Sequence, residues 1–208
     1  MASRPVFIPS IRKPYYNSVD VEFVYNKGMA PTQKIKNVLA LHEAYEKAHP
    51  EKKILEISSK SQQEGGKELS AFNLMIYVPS LGRSVTVECD YQGGKVFAAG
   101  GPYLDLLEAT SREAKKDERL KTSGALKDFE FEGRRFGTNG TDFYDYLYIK
   151  ALTQNPELAA ILMEYNGFTD IEFSPNKGRA CQAAAAAKYV SLAKQACLTN
   201  TSQKWRHK

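Results

Sequence analysis

The sequence is poor in the residues that most often ligate metals or form crosslinks. Of its 208 residues only three are cysteine and three histidine. Cys89, Cys181 and Cys197 are odd in number and show no CxxC spacing, so neither a disulfide framework nor a zinc site is indicated. With His42, His49 and His207 as the only histidines, no metal and no cofactor is expected. No apolar run approaches the length of a membrane span. The opening stretch MASRPVFIPSIRKPYY is broken by three prolines where a signal peptide needs a continuous apolar segment. These absences predict a protein of a reducing cytoplasm with no membrane partner. Phosphate-loop signatures are missing too. The GGK strings at Gly65 to Lys67 and Gly93 to Lys95 have neither a following Ser or Thr nor a glycine five residues before the GK. No GxGxxG follows a strand, and no GxSxG elbow is present.

What is there belongs to an ordinary globular domain: 42% hydrophobic, 25% charged and 11% aromatic residues. The length suits one domain. A net charge of +5 permits a polyanionic partner without requiring one, because acidic and basic residues are interleaved. After an irregular, proline-rich start, VDVEFVY (Val19 to Tyr25) alternates like a strand. Thr32 is placed to cap a helix running to about Lys47, with Ile35, Val38, Leu39, His42 and Tyr45 inward and His42 as a core histidine. KILEISS reads as a second strand, and LSAFNLMIYV with RSVTVEC as a hairpin. Beyond Cys89 helical periods dominate. GGPYLDLLEA opens a short helix, Ser111 caps SREAKKDERLK, and FEFEGRRF forms a short hairpin or strand. TDFYDYLYIKAL is capped near Thr141, NPELAAILMEY begins at Asn155 and Pro156, and RACQAAAAAKYVSLAKQACL is a long helix with small faces. The expectation is one helix-rich α+β domain over residues 1–200, with a small, mainly antiparallel sheet from the N-terminal half and a polar, basic tail over 201–208.

One stretch resists a purely structural reading. In VECDYQGGKVF, Glu88, Tyr91, Gln92 and Lys95 fall at i, i+3, i+4 and i+7, one face of a helix, although Gly93 and Gly94 in its interior cost about 2 kcal/mol relative to alanines. Two explanations stand for the glycines: close approach of another segment or ligand, or a break between two short turns.

The pieces SRPVFIP, ILEISSKS, LSAFNL, VECDYQGGKVF, GGPYLDL, SREAKKDERLKTSG, FYDYLYIKAL, QNPEL and FTDIEFSPNKGRACQA run in order along nearly the whole chain. Together they closely resemble the NADAR family, in particular its antitoxins associated with DarT-type DNA ADP-ribosyltransferases. The resemblance implies a NADAR/YbiA-like fold and hydrolysis of N-glycosidic bonds to ribose without a metal. In this branch the substrate is ADP-ribose attached to guanine in DNA. The setting is a toxin–antitoxin system in phage defence, with ADP-ribose and a cognate DarT-type toxin as further partners. A YbiA-like N-glycosidase of a small ribosylated metabolite, or a non-catalytic module that binds ADP-ribosylated DNA or the toxin, are the alternatives. The family's acidic motif falls on Glu88, Tyr91, Gln92 and Lys95. Asp90 and Tyr91 stand where Ala and Phe are usual, Tyr146 replaces a Trp, and Gly178-Arg179-Ala180 replace a more polar triplet.

The implied chemistry assigns roles. Cleavage of the C1″–N bond builds positive charge on the ribose, which a carboxylate stabilises or which it meets with an aligned water, the expected role of Glu88. Lys95 is expected to bind pyrophosphate, polarise the guanine, or form a Schiff base with ring-opened ribose. Phe72, Asn73, Tyr91, Gln92 and Tyr103 are expected to contact base or ribose. Arg4 and Lys60 are expected at phosphate, and Asp170 and Glu172 at ribose hydroxyls or as a second acid. The guanine must be flipped or unpaired. Lys204, Arg206, Lys208 and the helix from Ser111 to Lys121 are expected to hold the DNA backbone.

Overall fold

The computed structural model describes residues 1–174 and 180–205, with side chains described through residue 197. The proline-rich start is regular after all: β1 (Ala2–Pro9) pairs antiparallel with β2 (Tyr16–Phe23) over its full length, Ala2 opposite Phe23 and Pro9 opposite Tyr16. Proline is tolerated here because the second edge of β1 is met only at Phe7, leaving most of that edge outside the ladder.

Helix α1 (Pro31–Ala48) starts at a proline after Ala30, so Thr32 lies inside the helix and caps nothing. It buries Asn37, Val38, Leu41, His42 and Tyr45, whereas Leu39, expected inside, is 57% exposed. The short strand β3 (Ile54–Glu56) is fully buried and completes the main sheet in the order β2-β1-β9-β3, where β9 is Gly167–Thr169. Its neighbour β9 comes from far along the chain.

The expected hairpin exists, but its first strand begins late. β4 (Met75–Val78) and β5 (Arg83–Thr86) pair across a 3-10 turn, while Leu69 to Asn73 form turns instead of strand. Helix α2 (Val87–Gly93) follows directly, and then β6 (Lys95–Phe97). The helical stripe therefore ends at the glycine pair, and Lys95 opens a strand.

Ser111 is the first residue of α3 (Ser111–Lys116), whose cap is Thr110, reciprocated by Glu113 in a capping box. The expected single charged helix breaks before α4 (Arg119–Thr122). β7 (Leu126–Phe131) and β8 (Arg134–Arg135) form the hairpin in FEFEGRRF and join β6 in a three-stranded sheet. Helix α5 (Gly140–Gln154) is capped by Asn139, two residues before the expected Thr141. Then come α6 (Pro156–Met163), β9 (Gly167–Thr169) and α7 (Gln182–Trp205). Strand β9 runs parallel to β3 and touches β1 at Phe168. Strands thus come from both halves of the chain and form three small sheets, antiparallel except for β3 with β9.

The core gathers around α5. Phe143, Leu147, Tyr148, Ala151 and Leu152 are buried against a row of five buried alanines, Ala183 to Ala187, at the start of α7. Side chains this small let the α7 backbone come close to α5 and β1, which both pack on it. No helix among the described residues is long and apolar enough to cross a membrane. The side chain of Lys204, the residues Arg206 and Lys208, and the substituted Gly178 and Arg179 lie outside the described residues.

Candidate active site

Helix α2 is tied to its surroundings at both ends. At its start the Val87 and Glu88 N–H groups donate to the Leu74 and Ala71 carbonyls, both at 2.9 Å, and the Thr86 hydroxyl accepts from the Cys89 N–H at 3.3 Å. Ser111 reinforces this corner, bonding Thr86 at 2.8 Å and donating to the Phe72 carbonyl at 2.9 Å. At its end Gly93 O accepts from the Tyr103 N–H at 2.7 Å, and Gly94 O from the Glu130 N–H at 2.8 Å. A Cβ on Gly93 would sit 2.5 Å from the Leu107 side chain, and one on Gly94 would sit 2.5 Å from the Glu130 carbonyl oxygen. The first explanation of the glycine pair therefore holds, since it admits close neighbours, and the pair also ends the helix, with the strand β6 in place of a second turn.

The break brings the stripe's polar heads together. Gln92 Nε2 donates to Glu88 Oε1 at 2.8 Å, and Lys95 Nζ donates to Gln92 Oε1 at 2.5 Å. A carboxylate only accepts and an ammonium only donates, so this chain fixes the orientation of the amide. Lys95 also lies over the Tyr91 ring, 4.9 Å from its centroid. Burial pushes the Lys95 amine down to about 8, with nearby Lys115 in the same direction and Glu88 opposing. Burial, with Glu88 beside it, pushes the Tyr91 phenol up to about 12.

Glu88 is only 4% exposed, yet it lines a cavity of about 630 Å³. Lys115, from α3, leans over the opening with its Nζ 3.6 Å from Glu88 Oε1 and 4.9 Å from the Phe72 ring centroid. Phe72, Tyr91, Gln92, Asp170 and Glu172 line the same cavity, so six residues singled out in the sequence meet there. Lys95 joins them through Gln92. Lys60 stands at the rim, 3.6 Å from Glu172, which Lys34 also pairs at 2.6 Å.

Three other candidates do not line the cavity. Asn73 closes a turn by donating to the Lys67 carbonyl at 2.8 Å. The Tyr103 hydroxyl bonds Ser123, its ring lies under Arg119, and its N–H braces the end of α2. Arg4 bonds the Ser3 carbonyl on β1.

A second carboxyl lines the same cavity. Asp170 accepts from Gln182 Nε2 at 3.0 Å and from the Glu172 N–H at 3.0 Å. Burial pushes it up to about 8, and the neighbouring Glu56 adds to the rise. Glu56 is itself raised by burial and accepts from Ser58, Thr169 and the Ile171 N–H at 2.6 to 2.9 Å. Since Thr169 gives its hydroxyl proton to Glu56, His42 must donate to Thr169 through Nε2, 2.9 Å away. Burial holds the His42 imidazole down to about 4, so it stays neutral as a core group.

The sequence reading gave no role to Tyr144, Ser70 and Gln182, which line the cavity too, and took Lys115 only as part of the Ser111 to Lys121 helix expected at the DNA backbone. Lys115 was hidden in a charged helix and Tyr144 in an aromatic run. Gln182 is the polar first residue of a run of alanines, and its spacing to Ala71 and Asp170, which it bonds, carries no periodic signal.

The cavity thus combines a buried acid at its floor, a second acid raised by burial, a lysine over its opening and aromatic walls. Among the described residues, no group of three or more His, Cys, Asp or Glu is placed to hold a metal ion. In comparisons with known proteins, the model of a family described as DarT1-associated NADAR antitoxin matches residues 2–207. No curated protein gives a match.

Proposed function

The chain belongs to the DarT1-associated NADAR antitoxin family, and from that premise we propose that it hydrolyses the N-glycosidic bond between ADP-ribose and guanine in DNA, reversing the modification made by a DarT-type toxin. The observation that carries this reading is Glu88: a carboxylate 4% exposed at the floor of a large polar cavity, held at one oxygen by Gln92 and approached by Lys115.

In the proposed reaction the C1″–N bond breaks as positive charge develops on the ribose, and Glu88 stabilises that charge from the floor. A water oxygen bonds C1″, and its proton leaves through a carboxylate. Asp170, protonated below about pH 8, supplies a proton to the departing guanine nitrogen. Lys95 acts through Gln92: its ammonium holds the amide that holds Glu88, which makes it a positioning residue. Phe72 and Tyr91 supply flat surfaces, while Lys115 and Lys60 meet pyrophosphate or backbone phosphate at the rim. A guanine presented to this floor must leave the base stack.

The test incubates purified wild-type and Glu88→Gln protein, with EDTA throughout, with an oligonucleotide carrying ADP-ribose on one guanine, and follows the adduct by mass spectrometry. Release of ADP-ribose by the wild type alone is the expected result. No release by either protein overturns the proposal. It leaves hydrolysis of a small ribosylated metabolite, measured in the same way, and binding without turnover as the readings to pursue.

A further inference from the structure

A second cavity lies behind α2. Successive helical residues are rotated by about 100°, so Asp90 projects from the face opposite Glu88. It is 3% exposed, its Oδ2 has no hydrogen-bond partner, and it lines a cavity of about 390 Å³. Val78, Leu81, Leu104, Leu107 and Phe131 give that cavity hydrocarbon walls. The two other acids on its lining are already engaged: Glu130 pairs with Arg135 at 2.9 Å, and Glu132 accepts from the Ser80 hydroxyl at 2.6 Å. Among these acids only Asp90 is without a hydrogen bond or ion pair at an inward oxygen, and no lysine or arginine lines the space.

A buried carboxylate without a partner costs several kcal/mol unless something neutralises it. A hard metal ion would need a shell of about six or more oxygens. Among the described residues no such cluster of ligands exists, and the walls are apolar. Waters filling the space would solvate the carboxylate but leave the leucine and phenylalanine walls wetted. An ammonium or guanidinium on an aliphatic stem meets both conditions: the head pairs with the carboxylate and the stem covers the leucines.

We propose that this cavity is a second binding site, for a small organic cation whose charged head bonds Asp90 and whose alkyl chain lies against Leu81, Leu104 and Leu107. The site is independent of the chemistry assigned to the Glu88 cavity. Burial pushes the Asp90 carboxyl up to about 7, with Glu132 adding and Lys150 opposing, so the carboxylate is available above that pH.

Calorimetric titrations of the full chain at pH 8 with butylammonium and butylguanidinium test it, with butanol and butyrate as neutral and anionic counterparts. Saturable binding of at least one cation, absent for butanol and butyrate, is expected, and Asp90→Asn should weaken it by about tenfold or more. Leu104→Trp, at a wall residue with an exposed side chain, blocks the cavity without touching the carboxylate and should also abolish binding. Capped lysine methylamide separates the sources. Binding as strong as butylammonium points to a side chain of a partner protein, and weaker binding points to a free amine. The proposal is overturned if neither cation binds saturably, or if either variant binds as the wild type does.

Discussion

Glu88 keeps its place through backbone bonds at its own N–H and a side-chain bond from Gln92, none of which requires a negative charge on the carboxyl. Glu88→Gln should therefore leave the melting temperature within a few degrees of wild type while lowering the rate on ADP-ribosylated DNA by about 10²- to 10⁴-fold. Circular dichroism melts beside the mass-spectrometric assay check both halves. The pH profile examines Lys95 and Asp170. Both carry their protons below about pH 8, and both are proposed to act protonated, so turnover should hold from about pH 6 and decline above pH 8. A rate that instead rises through pH 8 would assign the neutral Lys95 amine as a nucleophile, and borohydride should then trap a covalent adduct.

At the scale of elements, the glycine pair makes two unequal predictions. An added methyl on Gly94 meets a backbone oxygen at 2.5 Å and the Phe143 ring at 2.8 Å, neither of which can move cheaply. On Gly93 the nearest obstacle is the tip of Leu107, a side chain that can shift. Gly94→Ala should cost about 1–3 kcal/mol, typical of overpacking, and Gly93→Ala less, as thermal melts of the pair would show. These elements also show what a sequence can disclose. The stripe of Glu88, Tyr91, Gln92 and Lys95 was visible as a pattern, but periodicity alone placed Lys95 a second turn along one helix, whereas the glycines turn the chain into β6. The hairpins in MIYV…RSVT and FEFEGRRF were legible because alternation and turn residues are local. Strands β1 and β9 were not: prolines mask β1, whose second edge is mostly free, and β9 is three residues long and pairs with β3, far away in the chain. Likewise Glu88 and Phe72 could be singled out individually, while Lys115 and Gln182, which line the same cavity from other parts of the chain, could not.

For the molecule as a whole, stability should depend on pH through its buried acids. Asp90 titrates at about 7 when folded and near 4 when unfolded. The native state therefore binds more protons across that window, and this contribution to stability is lost as pH rises from about 4 to 7. Asp90→Asn removes the dependence. Its melting temperature should gain on the wild type steadily across that range and hold a constant lead above it. Differential scanning calorimetry at several pH values measures this, and a difference that does not change with pH would count against the buried, unpaired carboxylate. His42 works in the other sense, costing stability below its unfolded value as acid forces a proton onto a buried ring. Comparing the variant with the wild type cancels that background.

Helix α2 has few residues and several obligations. Glu88 and Gln92 serve the cavity floor, Asp90 faces a second cavity, and the glycines that follow touch two other segments. Hardly a position in it can change without disturbing a neighbour. Divergence between related chains should therefore be slow at the floor and faster around the rim, in the positions near Lys60, Lys115 and Glu172, where a new side chain meets mostly solvent. Under the proposed function, a change in the modified base or DNA sequence accepted would then be inherited through the rim, with the floor passed on intact.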